Sequence, residues 1–225
     1  MYMSRVACLL SLSVLLSAVS GCSSERTPAF VAKSEPWQAL EERQCLASGM
    51  VRTSPFLNAR SSLGGPSACG AEQPFEMSAA LGGRVRLTPA ATLRCPMIPA
   101  VDRWVATVVE PAARFHFGAS IVGMKVAASY GCRPINHKWG AKLSQHGLAN
   151  ALDISEFRLA DGHKISVKSG WWGSSRERQF LRDVHRGACD SFTTVLGPLA
   201  DRYHHDHLHL DLARHGKNGT YRVCR

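Results

Sequence analysis

The stretch HHDHLHLD, from His204 to Asp211, places four of the chain's ten histidines within six positions. Imidazole and carboxylate are the side chains that bind divalent metals and move protons near neutral pH. Leu208, Leu210 and Leu212 keep a two-residue period, which predicts a strand carrying the histidines. On an ideal strand His207, His209 and Asp211 share one face, and Asp206 points away unless a turn or bulge precedes His207. Asp211 is then placed to orient an imidazole from behind. Upstream, LSQHGLANALDI sets His146 seven positions before Asp153, with Gly147, Ala149 and Ala151 between them. Those small residues let the backbone curl so that both side chains point at one ion. One more histidine would make three protein ligands and leave a fourth position for water, the arrangement of catalytic rather than structural zinc. His204 and His205 are expected at the solvated lip of such a site. His116, His137, His163, His185 and His215 follow no pattern and are expected on the surface.

The elements that must position these residues follow from periodicity. Pro99 to Phe115 repeats Val101, Trp104, Val105, Val108, Val109 and Ala112 at helical spacing. A short helix is expected over Glu41–Gly49. Another is expected over Ser175–Cys189, with Phe180, Leu181 and Val184 inward and Ser175 as its cap. Met124–Ser129, with Ile121 and Val122 before it, reads as a buried strand. ALDISEFRLADGHKISV reads as two strands joined at Asp161–Gly162. VRLTPAATLRC reads as a strand before Pro89 and a turn after it, and Ser54–Gly70 as an irregular loop held by Cys69. Trp171–Trp172 could form a stacking platform for sugar or peptide, or pack onto the sheet. Strands and helices mix without regular βαβ alternation. This predicts an α+β domain with a small, mainly antiparallel sheet flanked by helices.

The ends and the composition bound the function. Val6–Ser20 is apolar and about the length of a signal-peptide core, and Val19-Ser20-Gly21-Cys22 resembles a bacterial lipobox. Residues 1–22 are therefore expected to be a lipoprotein-type signal, 23–40 a flexible tether and 41–225 the domain. The expected location is the periplasm, anchored to the outer membrane by a lipid on Cys22. Six cysteines remain, Cys45, Cys69, Cys95, Cys132, Cys189 and Cys224, with no CxxC pair. In an oxidising compartment they predict three disulfides, without fixing which partners join. A net charge of +10 points to an anionic partner such as a wall polymer or a lipid surface. The basic residues are scattered, with no aromatic platform among them, so nucleic acid is not expected.

Ser144-Gln145-His146 through Ala151-Leu152-Asp153 resembles the SxHxxGxAxD motif of the LAS metallopeptidases, which include D-alanyl-D-alanine carboxypeptidases, murein endopeptidases and the hedgehog signalling domain. From about Cys45 to Arg225 the chain resembles the bacterial extensin-like C-terminal domain family. PAATLRCPM, ASYGCRPIN, LSQHGLANALDI, FRLADG and HHDHLHLDL carry that likeness. The resemblance implies a LAS/hedgehog-like zinc peptidase fold, with His146, Asp153 and His209 as ligands of Zn²⁺. It implies a catalytic base at Asp206, where the carboxypeptidases have a glutamate, or at His207, where the endopeptidases have a second histidine. Arg133, after Tyr130-Gly131-Cys132, matches an arginine that lies near the substrate carbonyl or carboxylate. The expected activity is hydrolysis of an amide in peptidoglycan stem peptides by a carboxypeptidase or endopeptidase. The alternative is a zinc-stabilised, non-catalytic wall-binding or scaffold lipoprotein. Ala149 stands where the motif has glycine.

Overall fold

The computed structural model describes residues 36–65 and 68–225. The expected signal, Cys22 and the tether through residue 35 lie outside the described residues. In chain order the structure has α1 (Pro36–Ala47), β1 (Leu57–Ala59), β2 (Leu63–Gly64), β3 (Gly70–Ala71), β4 (Phe75–Ala80) and β5 (Val85–Leu93). A helical segment follows as α2 (Met97–Trp104), a π-turn at Val105–Val109 and α3 (Glu110–Phe117). Then come β6 (Ile121–Ala128), β7 (Ala151–Leu159), β8 (Lys164–Ser166), α4 (Val167–Gly170), α5 (Ser175–Ala188), β9 (Thr194–Leu196), β10 (Leu208–Asp211) and β11 (Val223–Cys224).

The main sheet has nine strands in the order β1-β4-β5-β6-β7-β10-β9-β11, with β8 also on β7. It is mainly antiparallel, as expected, but larger, and two pairs are parallel: β5 with β6, and β9 with β11. The first arises because the long helical segment crosses between β5 and β6 and returns the chain to the same end of the sheet. The strand predicted to stop before Pro89 continues to Leu93. Its ladder to β6 ends at Thr88, and its ladder to β4 shifts register between Met77 and Ala79. A residue lacking an N–H is tolerated at such an irregularity. The Asp161–Gly162 turn joins β7 to β8 as predicted. Helix α5 begins as expected but is capped by Ser174, whose Oγ accepts from Glu177 N at 3.3 Å.

Leu152, Ile154 and Phe157 of β7, with Leu208 and Leu210 of β10, join the apolar core beneath the sheet. Trp104 packs edge-on against Phe157 and Phe192 there, and its indole N–H donates to Val184 O at 3.0 Å. Trp171 is also in this core at 2% exposure, whereas Trp172 is exposed and does not line the cleft described below. The packing alternative for this pair therefore holds for Trp171. Three disulfides form, Cys45–Cys95, Cys69–Cys132 and Cys189–Cys224. The first ties α1 to the end of β5. The last fastens β11 to the end of α5.

Candidate metal centre

On β7 and β10 the alternation that sends leucines into the core sends Asp153, His209 and Asp211 to the opposite face. Asp153 and His209 are direct partners in the antiparallel register, and both are buried. His146 arrives from a separate piece of chain, the one-turn helix Gln145–Leu148. Ser144 caps that turn by accepting from His146 N at 3.4 Å. The turn ends at Ala149, which is fully buried in the left-handed region at φ 50°. Glycine would adopt that conformation without strain. Here an alanine takes it and the turn still closes.

The three side chains converge. His146 Nε2 lies 3.1 Å from Asp153 Oδ2, His209 Nδ1 lies 2.8 Å from Asp153 Oδ1, and the two imidazole nitrogens are 3.2 Å apart. Each ring is fixed through its other nitrogen. His146 Nδ1–H donates to Ser129 O, and His209 Nε2–H donates to Asp211 Oδ2 at 2.9 Å. Asp211, expected behind an imidazole from strand parity, is there, and its other oxygen accepts from Ala213 N at 2.9 Å. These tautomers turn one lone pair from each imidazole, and the Asp153 carboxylate, toward a common point. Buried metal sites hold their histidines in this way. His146, Asp153 and His209 form a buried group that could hold a metal ion.

The electrostatics agree. Burial alone would raise the Asp153 pKa, but hydrogen bonds and charge from His146 and His209 hold it far below the usual carboxylate range. Burial alone would lower His209, yet Asp153 and Asp211 raise it to about 10. The cluster favours positive charge at its centre, whether that charge is a proton or a metal ion.

A polar network supports the His146 turn, and none of it was legible as chemistry in the sequence. Arg94 is 1% exposed, and its backbone N–H donates to Ala149 O at 2.8 Å. Its guanidinium donates to Asn150 Oδ1 at 2.7 Å and to Glu41 Oε2 at 3.0 Å. Asn150 Nδ2 donates to Gln145 Oε1 at 2.6 Å. The turn is thus locked to β5 and α1, and Cys45–Cys95 clamps the same two elements together. Cys69–Cys132 lies on the other side, next to Gly147.

The histidines before β10 are on a turn, not on the strand, which begins at Leu208. His207 faces inward, with Nε2 3.7 Å from Asp153 Oδ2, and Asp206 stands behind it, Oδ1 2.9 Å from His207 Nδ1. The Asp206 side chain is 45% exposed and does not line the cleft. Its hydrogen bond with His207 holds it below the ordinary aspartate pKa. His204 was expected at the solvated lip but is buried at 8% exposure. It bonds Asp201 Oδ1 at 2.8 Å, with its ring 5.3 Å from that of His207 and 5.7 Å from that of His209. A turn closing on itself buries what a solvated strand end would have exposed. His205 is exposed, as expected. Of the histidines expected on the surface, His137 and His215 line the cleft, and His116 is half-buried and paired with Asp183.

These groups sit in a cleft of about 720 Å³. Arg133 lines it, and its guanidinium makes no hydrogen bond or ion pair among the described residues.

A mixed α/β domain with a buried His₂Asp group at the floor of a cleft is the class that fold and site define. Residues 43–225 match the model of the extensin-like protein C-terminus, and the chain belongs to that family. No curated protein and no solved structure matches it.

Proposed function

We propose that this domain is an exported zinc-dependent amide hydrolase of LAS type, acting on the peptide stems of peptidoglycan. The observation that carries the reading is the convergence of His146 Nε2, Asp153 and His209 Nδ1, beside His207, which faces the same point with Asp206 behind it. Two imidazoles and a carboxylate form a donor set suited to Zn²⁺, which when bound supplies Lewis acidity toward a carbonyl and toward water.

The chain's own groups do the rest. Asp206 holds the proton of His207 on Nδ1, which leaves Nε2 free on the cleft side to accept a proton from water and return it to a leaving amine. Asp206 then steadies the imidazolium through the same hydrogen bond. This makes His207 the base and Asp206 its positioning residue. The Arg133 guanidinium, with no hydrogen bond or ion pair among the described residues, is available to hold the substrate carbonyl or carboxylate. The disulfides suit an oxidising compartment, which supports the reading of an exported protein.

The test is digestion of purified sacculi by the zinc-loaded mature protein, with the muropeptides identified by mass. His207→Ala should lose about 10² to 10⁴ in rate while retaining zinc, and Asp206→Asn should lose less. If the wild type releases no shortened stem yet binds sacculi, the domain is a scaffold. If Asp206→Asn costs more than His207→Ala, the roles given to the pair are reversed.

A further inference from the structure

Three carboxylates line the cleft, and each already has a histidine. Asp153 is bonded to His146 and His209, Asp211 to His209, and Asp201 to His204. The cleft also has three permanently cationic side chains, Arg133, Lys142 and Arg214. Neither the Arg133 guanidinium nor the Lys142 ammonium has a hydrogen bond or ion pair among the described residues. Arg214 is held by an ion pair at the cleft wall. It shares Glu41 with the buried Arg94: one oxygen of that carboxylate takes Arg214 Nη2 at 2.8 Å, the other Arg94 Nη2 at 3.0 Å. Arg94 also has the buried Glu42 nearby, so Glu41 is not consumed by Arg94 alone and orients Arg214 at the cleft wall. Arg214 also lies over the Trp37 ring at 4.7 Å, so its head is fixed in place. Arg133 and Lys142 therefore put positive charge on the cleft wall that no carboxylate among the described residues answers.

We propose that the cleft selects acidic peptides, with Arg133, Lys142 and Arg214 receiving free carboxylates of the bound chain, so that the same peptide in amidated form is a poor ligand. This rests on the stem-peptide reading above and adds to it which chemical form of the stem is taken. Arg214 is the built part of the device. A planar guanidinium, already oriented by Glu41 and Trp37, loses little freedom on meeting a carboxylate. Lys142 supplies a point charge from the segment that also carries Arg133.

The test uses two synthetic stem tetrapeptides that differ only in their side-chain carboxylates, free in one and carboxamides in the other. Binding is measured calorimetrically on the metal-free mature protein, where no turnover intervenes, and initial rates on the zinc-loaded protein. Each partly exposed ion pair contributes about 2- to 5-fold, so two contacts should make the acid form bind about 4- to 25-fold more tightly. Lys142→Met and Arg214→Gln should each remove about 2- to 5-fold of that preference, Arg214→Lys should keep more of it, and Lys164→Met on β8 should change nothing. Arg214→Gln leaves Glu41 paired with Arg94, so the fold survives the change. Equal binding of acid and amide within twofold, an unchanged ratio in both cleft variants, or no binding of either peptide overturns the proposal. Acid-selective binding without cleavage sinks the hydrolase reading but not this one. Cleavage of both forms at equal rates does the reverse.

Discussion

Replacing Asp211 by asparagine should weaken zinc binding without touching a ligand. The Asp211 carboxylate accepts twice, from His209 Nε2–H at 2.9 Å and from Ala213 N–H at 2.9 Å. An asparagine has one acceptor and one donor in the same place. If its oxygen faces His209, its NH₂ meets the Ala213 N–H. If its oxygen faces Ala213, the NH₂ meets His209 Nε2, and the imidazole is driven to carry its proton on Nδ1, the nitrogen that faces Asp153 and His146. The first orientation sets one donor against another at a site that is 4% exposed, and the second removes the lone pair that His209 Nδ1 would offer an ion. Loss of a carboxylate behind a ligating histidine weakens metal affinity by about 10- to 100-fold, or roughly 1.4 to 2.7 kcal/mol at 1.36 kcal/mol per decade. The assay is competition for zinc with a chromogenic chelator, comparing wild type and Asp211→Asn, with Asp211→Glu as a check on the charge itself. Affinity unchanged within twofold would refute the argument that Asp211 sets the His209 tautomer. Absence of zinc from the wild type would remove the metal reading altogether.

The remaining predictions concern the same site and its supports. Elemental analysis of protein purified without a histidine tag should find one zinc per chain, and His146→Ala should abolish it. In the metal-free protein the folded pKa of His209, about 10, lies above its ordinary value of 6.5. Its contribution to stability is therefore fully present below about pH 6.5 and lost as pH rises toward 10. Thermal melts should fall across that window for metal-free protein and stay level for zinc-loaded protein, and a flat metal-free profile would contradict the raised value. Ala149→Gly exchanges a left-handed strain of about 1–2 kcal/mol for roughly 0.5–1 kcal/mol of backbone entropy and the loss of a buried methyl worth about 0.8 kcal/mol. Denaturant titration should show a change within about 1 kcal/mol, and a loss above about 2 kcal/mol would show that the methyl packing dominates. Converting Cys69 and Cys132 to serine should cost about 2–4 kcal/mol and release the chain beside Gly147, detectable as a lower melting temperature with the sheet intact.

The group that could hold a metal was legible because its members are local or periodic. His146 and Asp153 lie within one short motif, and His209 and Asp211 share the parity of a strand whose leucines mark its other face. What was not legible depends on contacts far apart in the chain. Arg94 reaches Asn150 across 56 residues and Glu41 across 53, and no spacing rule joins a basic residue at the end of one strand to a helix at the other end of the sequence. The strand rule also failed where the strand had not begun. His204 to His207 obey a turn, so the periodicity that placed His209 misplaced His204. Pro89 was read as a stop because a proline in a central strand loses a hydrogen bond, and only the ladders show that no partner asks for one there. The π-turn inside Pro99–Phe115 has the same apolar pattern as an unbroken helix.

His209 and Asp153 stand directly opposite each other on β10 and β7. Because side chains alternate, a slip of one residue between these strands would set His209 against Leu152 or Ile154 and send its imidazole to the side now filled by Leu208 and Leu210. A mispaired sheet would then lack the ion site, while a correctly paired one presents it complete. An ion taken up by this group would thus proofread the chain's own assembly, because the site is complete only once β7 and β10 have found this register.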